Sequence, residues 1–221
     1  MSKLRLRFRK TGRAIYISHL DLMKTVQRGF SRAGYDLKYS EGFNPRPQLS
    51  IALPLSVGMG SVCELMDFKL RNEADLTELP ERLTAALPEG IEVTEVYEPQ
   101  RKASGIKWLE VEGVMEYDIR DAAAMADALR VFYEADAIII MKKTKRGEGE
   151  IDIKPAISRI EFTPDAVQKC VMVRAAVSAQ EPTLNPELLS EALRQKAPEL
   201  APDFAKYTRI ETYDAQMNVF R

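Results

Sequence analysis

His19 is the only histidine in the chain; Ser18 precedes it, and Asp21 stands two positions beyond it. An imidazole there has the chemistry to deprotonate a ribose hydroxyl while a nearby arginine or lysine stabilises a phosphorane. The same residues also read as a helix start, because Ser18 and Asp21 form an S-x-x-D capping box and Ile17 and Leu22 a hydrophobic staple across it. The positive end of a helix disfavours imidazolium, and there is no second histidine to serve as the acid. A neutral His19 filling a polar gap at the cap is therefore the simpler expectation, with a metal-independent endoribonuclease as the enzymatic alternative. Cations surround this point at regular spacing. Arg5, Arg7 and Arg9 alternate with Leu4, Leu6 and Phe8, the period of a strand with one buried and one basic face. Arg13 follows, and Lys24, Arg28 and Arg32 recur every fourth residue along the predicted helix. A third group lies in Glu41-Gly-Phe-Asn-Pro-Arg-Pro47. Two prolines and a glycine make a rigid loop there, in which Phe43 and Asn44 meet a base and Arg46 meets a phosphate. The plain alternative is a simple connection with Phe43 tucked into the core.

These residue types are those of polyanion binding, although no aromatic residue interleaves with Arg5, Arg7 and Arg9 to make a stacking platform. A second reading stands level with it. The matching strand of the second half carries Glu110, Glu112, Glu116 and Asp118 on its polar face. If the two halves set these faces together, the acids would pair with the arginines and the chain would be a protein-only scaffold. Lys142, Lys143, Lys145 and Arg146 cluster at a predicted hairpin tip, as a solvated face or an extension of the basic surface. Ser56-Val-Gly-Met-Gly-Ser61 has two glycines but no P-loop lysine, so it reads as a turn. Cys63 and Cys170 lie too far apart in sequence to suggest a disulfide framework or a thiolate site, and one histidine cannot build a zinc site. Neither a metal nor a cofactor is expected.

The elements that must position these residues repeat. Strand Lys3–Lys10 leads into a helix from Ser18 to Gly34. Strand-like runs follow at 35–39, 48–54 and 61–70, then a helix near 77–87 that tolerates Pro80 only in its first turn, and a strand at 91–98. The second half has a strand along 109–119, a helix at 121–134, and strands at 136–143, 150–153, 157–163 and 167–178 with a turn at Gly147–Gly149. A helix capped by Asn185 and a strand at 206–214 close it. This predicts an α+β chain of two ferredoxin-like βαββαβ modules in tandem with extra hairpin strands. A polar linker at 99–105 divides a basic module, 1–103, from an acidic one, 104–221.

Charge follows that division. Residues 1–50 hold eleven lysines and arginines against three acids, a net +8, which leaves −9 for the rest of a chain whose total is −1. Such asymmetry points to a polyanion or to pairing between halves. The composition, 45% hydrophobic and 29% charged, excludes collagen-like, disordered and membrane classes. The longest apolar run, Ala137–Met141, is far short of a membrane span. No signal-peptide core opens the chain, so a cytoplasmic location is expected.

Four motifs occur in order: Tyr16-Ile-Ser-His-Leu-Asp21, Tyr39-Ser-Glu-Gly-Phe-Asn-Pro-Arg-Pro47, Ala52-Leu-Pro-Leu-Ser-Val-Gly58 and Glu64-Leu-Met-Asp67. Together they resemble the radical-SAM-associated family, a group of unestablished function. The stretch Ile151-Asp-Ile-Lys-Pro155 is similar to its second half less sharply. The resemblance implies a partner: members occur beside, or fused after, a radical SAM protein with a cobalamin-binding-type domain, often near genes for a ribonuclease and ribosomal proteins. This chain lacks the three closely spaced cysteines of a radical-SAM cluster, in keeping with a separate accessory protein. The repeated element order is also similar to that of CRISPR repeat-processing endonucleases, in architecture alone. The function expected is an accessory protein that presents RNA, tRNA or rRNA, to a radical SAM enzyme.

Overall fold

The computed structural model describes residues 2–144 and 147–221. Two compact units emerge, one running up to Gly105 and including Arg221, the other spanning Ile106–Phe220.

In the first unit, β1 (Leu4–Lys10), α1 (His19–Arg32), β2 (Leu49–Ile51), β3 (Gly60–Phe68), α2 (Leu79–Ala85) and β4 (Ile91–Tyr97) follow in sequence. The strands lie in the order β4-β1-β3-β2, every pair antiparallel. This is the order that two interleaved split βαβ units produce. Alternation decides which face the helices cover: Leu4, Leu6 and Phe8 of β1 join Met66 and Phe68 of β3 against Leu22, Val26 and Phe30 of α1 and Leu79 and Leu83 of α2. Phe30 and Phe68 meet with ring centroids 4.9 Å apart. Gly29 lets α1 approach α2, since a Cβ there would lie 2.7 Å from Leu87 Cδ2.

Both ends of α1 form as the residues dictate. Ser18 Oγ accepts the Asp21 N–H at 3.2 Å and donates to Asp21 Oδ2 at 2.7 Å. Gly34, at φ +82°, closes the helix, and the Tyr35 N–H reaches back to the Phe30 carbonyl at 2.9 Å. Pro80 sits in the first turn of α2, the place where its missing N–H costs nothing. Arg32 donates to the Ala86 carbonyl through Nε and Nη2, while Arg82 Nη2 donates to the Ala33 carbonyl at 3.0 Å. Each helix thus supplies a cation to the negative end of the other. The strands expected at 35–39 and 48–54 are shorter: the first is reduced to single bridges at Leu37 and Tyr39, and the second to β2.

The second unit repeats the plan with β5 (Trp108–Glu116), α3 (Ala122–Tyr133), β6 (Ile139–Thr144), β7 (Gly147–Asp152), β8 (Ile157–Asp165), β9 (Cys170–Ser178), α4 (Glu187–Lys196) and β10 (Phe204–Tyr213). Its sheet reads β10-β5-β9-β8, again antiparallel, and β6 and β7 make a separate hairpin inserted after α3. Gly147, Glu148 and Gly149, expected as the turn, belong to β7, where they pair with Thr144, Lys143 and Lys142. Lys145 and Arg146 of the basic cluster lie outside the described residues. The hairpin is fastened to α4 by the Gln195 side chain, which accepts from Met141 N–H at 2.8 Å and donates to the Met141 carbonyl at 3.0 Å. Lys169, at φ 51°, turns the chain before β9, so that strand starts at Cys170 rather than 167. Asp121 caps α3 through the Ala124 N–H at 2.9 Å, and Asn185 accepts the Glu187 N–H at 3.2 Å as α4 begins.

Candidate nucleic-acid interface

Arg5, Arg7 and Arg9 do share the β1 face turned away from the helices, but that face carries its own acids. Arg5, fully buried, donates from Nε to Asp67 Oδ1 at 2.6 Å and from Nη2 to Asp67 Oδ2 at 3.1 Å. Lys3 Nζ reaches the same carboxylate at 2.5 Å. Burial alone would raise the Asp67 carboxyl, yet hydrogen bonds and charge from Arg5 and Lys3 outweigh it and hold the pKa below the ordinary carboxylate range. Arg7 lies 3.6 Å from Glu95, and Arg9 lies 3.4 Å from Glu92, both acids on β4. The partners of the stripe are thus the two strands that flank it.

Glu110, the foremost of the acids expected to face that stripe, is engaged inside its own unit. Its buried carboxylate accepts from Arg174 Nε at 2.5 Å, from Arg159 Nη2 at 2.9 Å and from the Tyr213 hydroxyl. Burial pushes the carboxyl up; the bonds from Arg174 and Tyr213 and the charges of Arg174 and Arg159 bring it below its usual value. Tyr213, half-buried beside that carboxylate, is pushed up to about 12 by desolvation and by its bond to Glu110.

The motif residues of the first unit are in part structural. Lys10 Nζ, buried, donates to the Ile15 carbonyl at 3.0 Å, and the Gly58 N–H donates to the same oxygen at 2.9 Å. Burial lowers the Lys10 pKa, and the charge of Glu64 opposes that shift. Glu64 and Asp67 of the fourth motif therefore serve Lys10 and Arg5. The side chain of His19, the first residue of α1, makes no hydrogen bond or ion pair among the described residues, and its Nδ1 is buried without a partner. No carboxylate or hydroxyl orients it as a general base would need. Among the described residues, no cluster of three His, Cys, Asp or Glu side chains is arranged to hold a metal.

Exposed cations lie elsewhere on this unit, ahead of α1, on it, in the segment that follows it and just after β3. Arg13, Arg28, Lys38, Arg46 and Arg71 are exposed and form no ion pair among the described residues; Lys24 stands 4.0 Å from Asp21. The 40–46 loop is built to hold its shape. Ser40 N–H donates to the Arg46 carbonyl at 2.8 Å, Arg46 N–H to Ser40 Oγ at 3.0 Å, and Gln48 N–H to the Lys38 carbonyl at 2.7 Å. Gly42 takes φ +114° at the turn, a conformation that side chains rarely adopt. Gln27 of α1 donates to the Tyr39 hydroxyl at 3.0 Å, which ties the loop base to the helix. Phe43 at the tip is fully exposed rather than tucked into the core, and Asn44 is exposed beside it. A groove of about 610 Å³ opens between α1 and this segment, lined by Gln27, Ser31, Asp36, Lys38, Tyr39, Pro45 and Arg71. A larger groove of about 740 Å³ runs along β8, but its cations are engaged: Arg130 donates to the Phe162 carbonyl, Lys154 to the Tyr133 carbonyl, and Arg159 pairs with Glu110.

Of the sequence candidates, the structure groups Lys24, Arg28, Phe43, Asn44 and Arg46 with the α1 side of the unit, and leaves Arg5 buried on the opposite sheet face. Lys38, Tyr39 and Arg71 were missed. Lys38 and Tyr39 immediately precede the proline-rich loop, a signal that was readable; Arg71 comes alongside only through its backbone bond to the Asp36 carbonyl.

A family model described as "Uncharacterized protein conserved in bacteria (DUF2344)" matches residues 3–186. The chain belongs to that family. No curated protein matches the DUF2344 chain in sequence. Among solved structures, 95% of it aligns with 48% of a chain in the crystal structure of a Cbf5-Nop10-Gar1 complex, at 10% identity and a TM-score of 0.51. The DUF2344 chain thus spans about half of that neighbour, and the likeness is one of fold. No helix among the described residues is long and apolar enough to cross a membrane.

Proposed function

We propose that this DUF2344 protein is a cytoplasmic accessory protein that binds RNA, tRNA or rRNA, and presents it to a radical SAM enzyme. The observation that carries the RNA part is the separation of the cations into two sets. Those of the β1 face are paired with acids, whereas Arg28, Lys38, Arg46 and Arg71 are exposed and form no ion pair among the described residues, next to the exposed rings of Tyr39 and Phe43. Free guanidinium groups meet phosphates, and rings held out from a rigid loop stack on unpaired bases. The radical SAM partner comes from the resemblance carried by the motifs between Tyr16 and Asp67.

The reading keeps Lys24, Arg28, Phe43, Asn44 and Arg46 as contacts, with Arg13 at the edge, and adds Lys38 and Arg71. Arg5, Arg7 and Arg9 become the internal support of the sheet. The tagged protein, recovered from its native cells with and without ribonuclease treatment, is expected to bring down a radical SAM protein together with a defined RNA. Recovery of a protein partner alone, unchanged by ribonuclease, would remove RNA from the account.

A further inference from the structure

We propose that the groove beside α1 receives one unstacked guanine of the bound RNA, read by the carboxylate of Asp36. This rests on the RNA-binding reading above and adds base identity to it. The volume, about 610 Å³, falls within the few hundred to about 1,000 Å³ of clefts that take small ligands. Tyr39 presents a ring whose hydroxyl is held by Gln27 at 3.0 Å, so one wall is fixed before anything binds. Lys38 and Arg71, both exposed and without ion pairs among the described residues, flank the groove and supply phosphate contacts.

Asp36 does not fit a site for phosphate alone. Its carboxylate is exposed and makes no hydrogen bond or ion pair among the described residues, although its backbone carbonyl accepts the Arg71 N–H at 2.8 Å. An anion among cations opposes phosphate, and here folding makes no use of it. What a free carboxylate accepts well is two parallel N–H donors. Guanine offers that pair on its Watson–Crick edge, at N1–H and the exocyclic amine, an edge that only an unpaired base exposes. Adenine and cytosine present one amino group beside a ring acceptor that the carboxylate repels. Uracil presents a single N–H between two carbonyl oxygens.

The test is a set of short uridine oligonucleotides carrying a central guanosine, inosine or adenosine, with an all-uridine control, titrated at low salt. Guanosine is expected to bind about tenfold tighter than adenosine or inosine, which lacks the exocyclic amine, in the range of one bidentate base contact. Asp36→Asn, at an exposed position, is expected to abolish that preference while all-uridine binding becomes no weaker, because a charge that opposes phosphate is removed. Guanosine binding no tighter than adenosine or inosine, or a preference unchanged in Asp36→Asn, overturns the guanine reading, while retained all-uridine binding shows that RNA binding itself stands. If no oligonucleotide binds at low salt, both readings fall.

Discussion

Asp67 and Glu110 show how this chain handles charge in its interior: each is a carboxylate almost out of solvent, and each is kept ionised by guanidinium groups at hydrogen-bond distance. Removing Arg5 leaves Asp67 buried with only the half-exposed Lys3 beside it. Arg5→Met is therefore expected to lower the unfolding free energy by about 3–5 kcal/mol, and adding Asp67→Leu to recover most of it. Urea denaturation of the single and double variants checks this. Both carboxyls have a lower pKa folded than unfolded, so their contribution is complete above the unfolded value near 4 and is lost as the pH falls through the folded one. The urea midpoint should be level near neutrality and drop in acid below about pH 4. Gly113 belongs to the same scale. A Cβ there would lie 2.5 Å from the Tyr207 ring, whose hydroxyl is held by Ser190, so Gly113→Ala should cost about 1–3 kcal/mol. Phe43→Ala touches nothing in the folded chain and should leave the midpoint unchanged while weakening RNA binding by about 1–3 kcal/mol.

At the scale of elements, the cross-clamped helices of the first unit make a separable prediction. Arg82→Ala removes a bond to the end of α1 and a cation 5.1 Å above the Tyr35 ring, and should cost about 1 kcal/mol in the same denaturation. The helix starts at Ser18 and Asp121, the first-turn position of Pro80 and the α+β class were legible, because caps, proline and alternation act locally. What was not legible depended on tertiary partners. Alternation placed Arg5, Arg7 and Arg9 on one face, but only the register shows that Asp67, Glu95 and Glu92 stand opposite them. Glu110 likewise read as a partner for the Arg5, Arg7 and Arg9 face, whereas Arg159, Arg174 and Tyr213 come alongside it from distant stretches of its own unit. Gly147–Gly149 read as a turn from composition, and pairing with β6 made them strand. The loop was recognisable from its prolines, yet the exposure of Phe43 follows from the Ser40–Arg46 closure, which no local pattern announces.

For the whole molecule the net charge of −1 is a poor guide, since eleven of the cations fall in the first fifty residues and ordinary soluble composition hides them. Pairing on the sheet removes part of that excess, and the remainder lies on α1 and the segment after it. The most direct measurement is the affinity of the intact protein for a single-stranded RNA across a salt series, for the wild type, Arg28→Glu/Arg46→Glu and Arg9→Glu. Wild-type affinity is expected to fall steeply with salt. The double variant is expected to lose most binding and about 0.7 of the log–log salt slope for each phosphate contact removed, while Arg9→Glu changes little. Binding lost through Arg9→Glu and untouched by the double reversal would put the RNA on the sheet face and contradict the account.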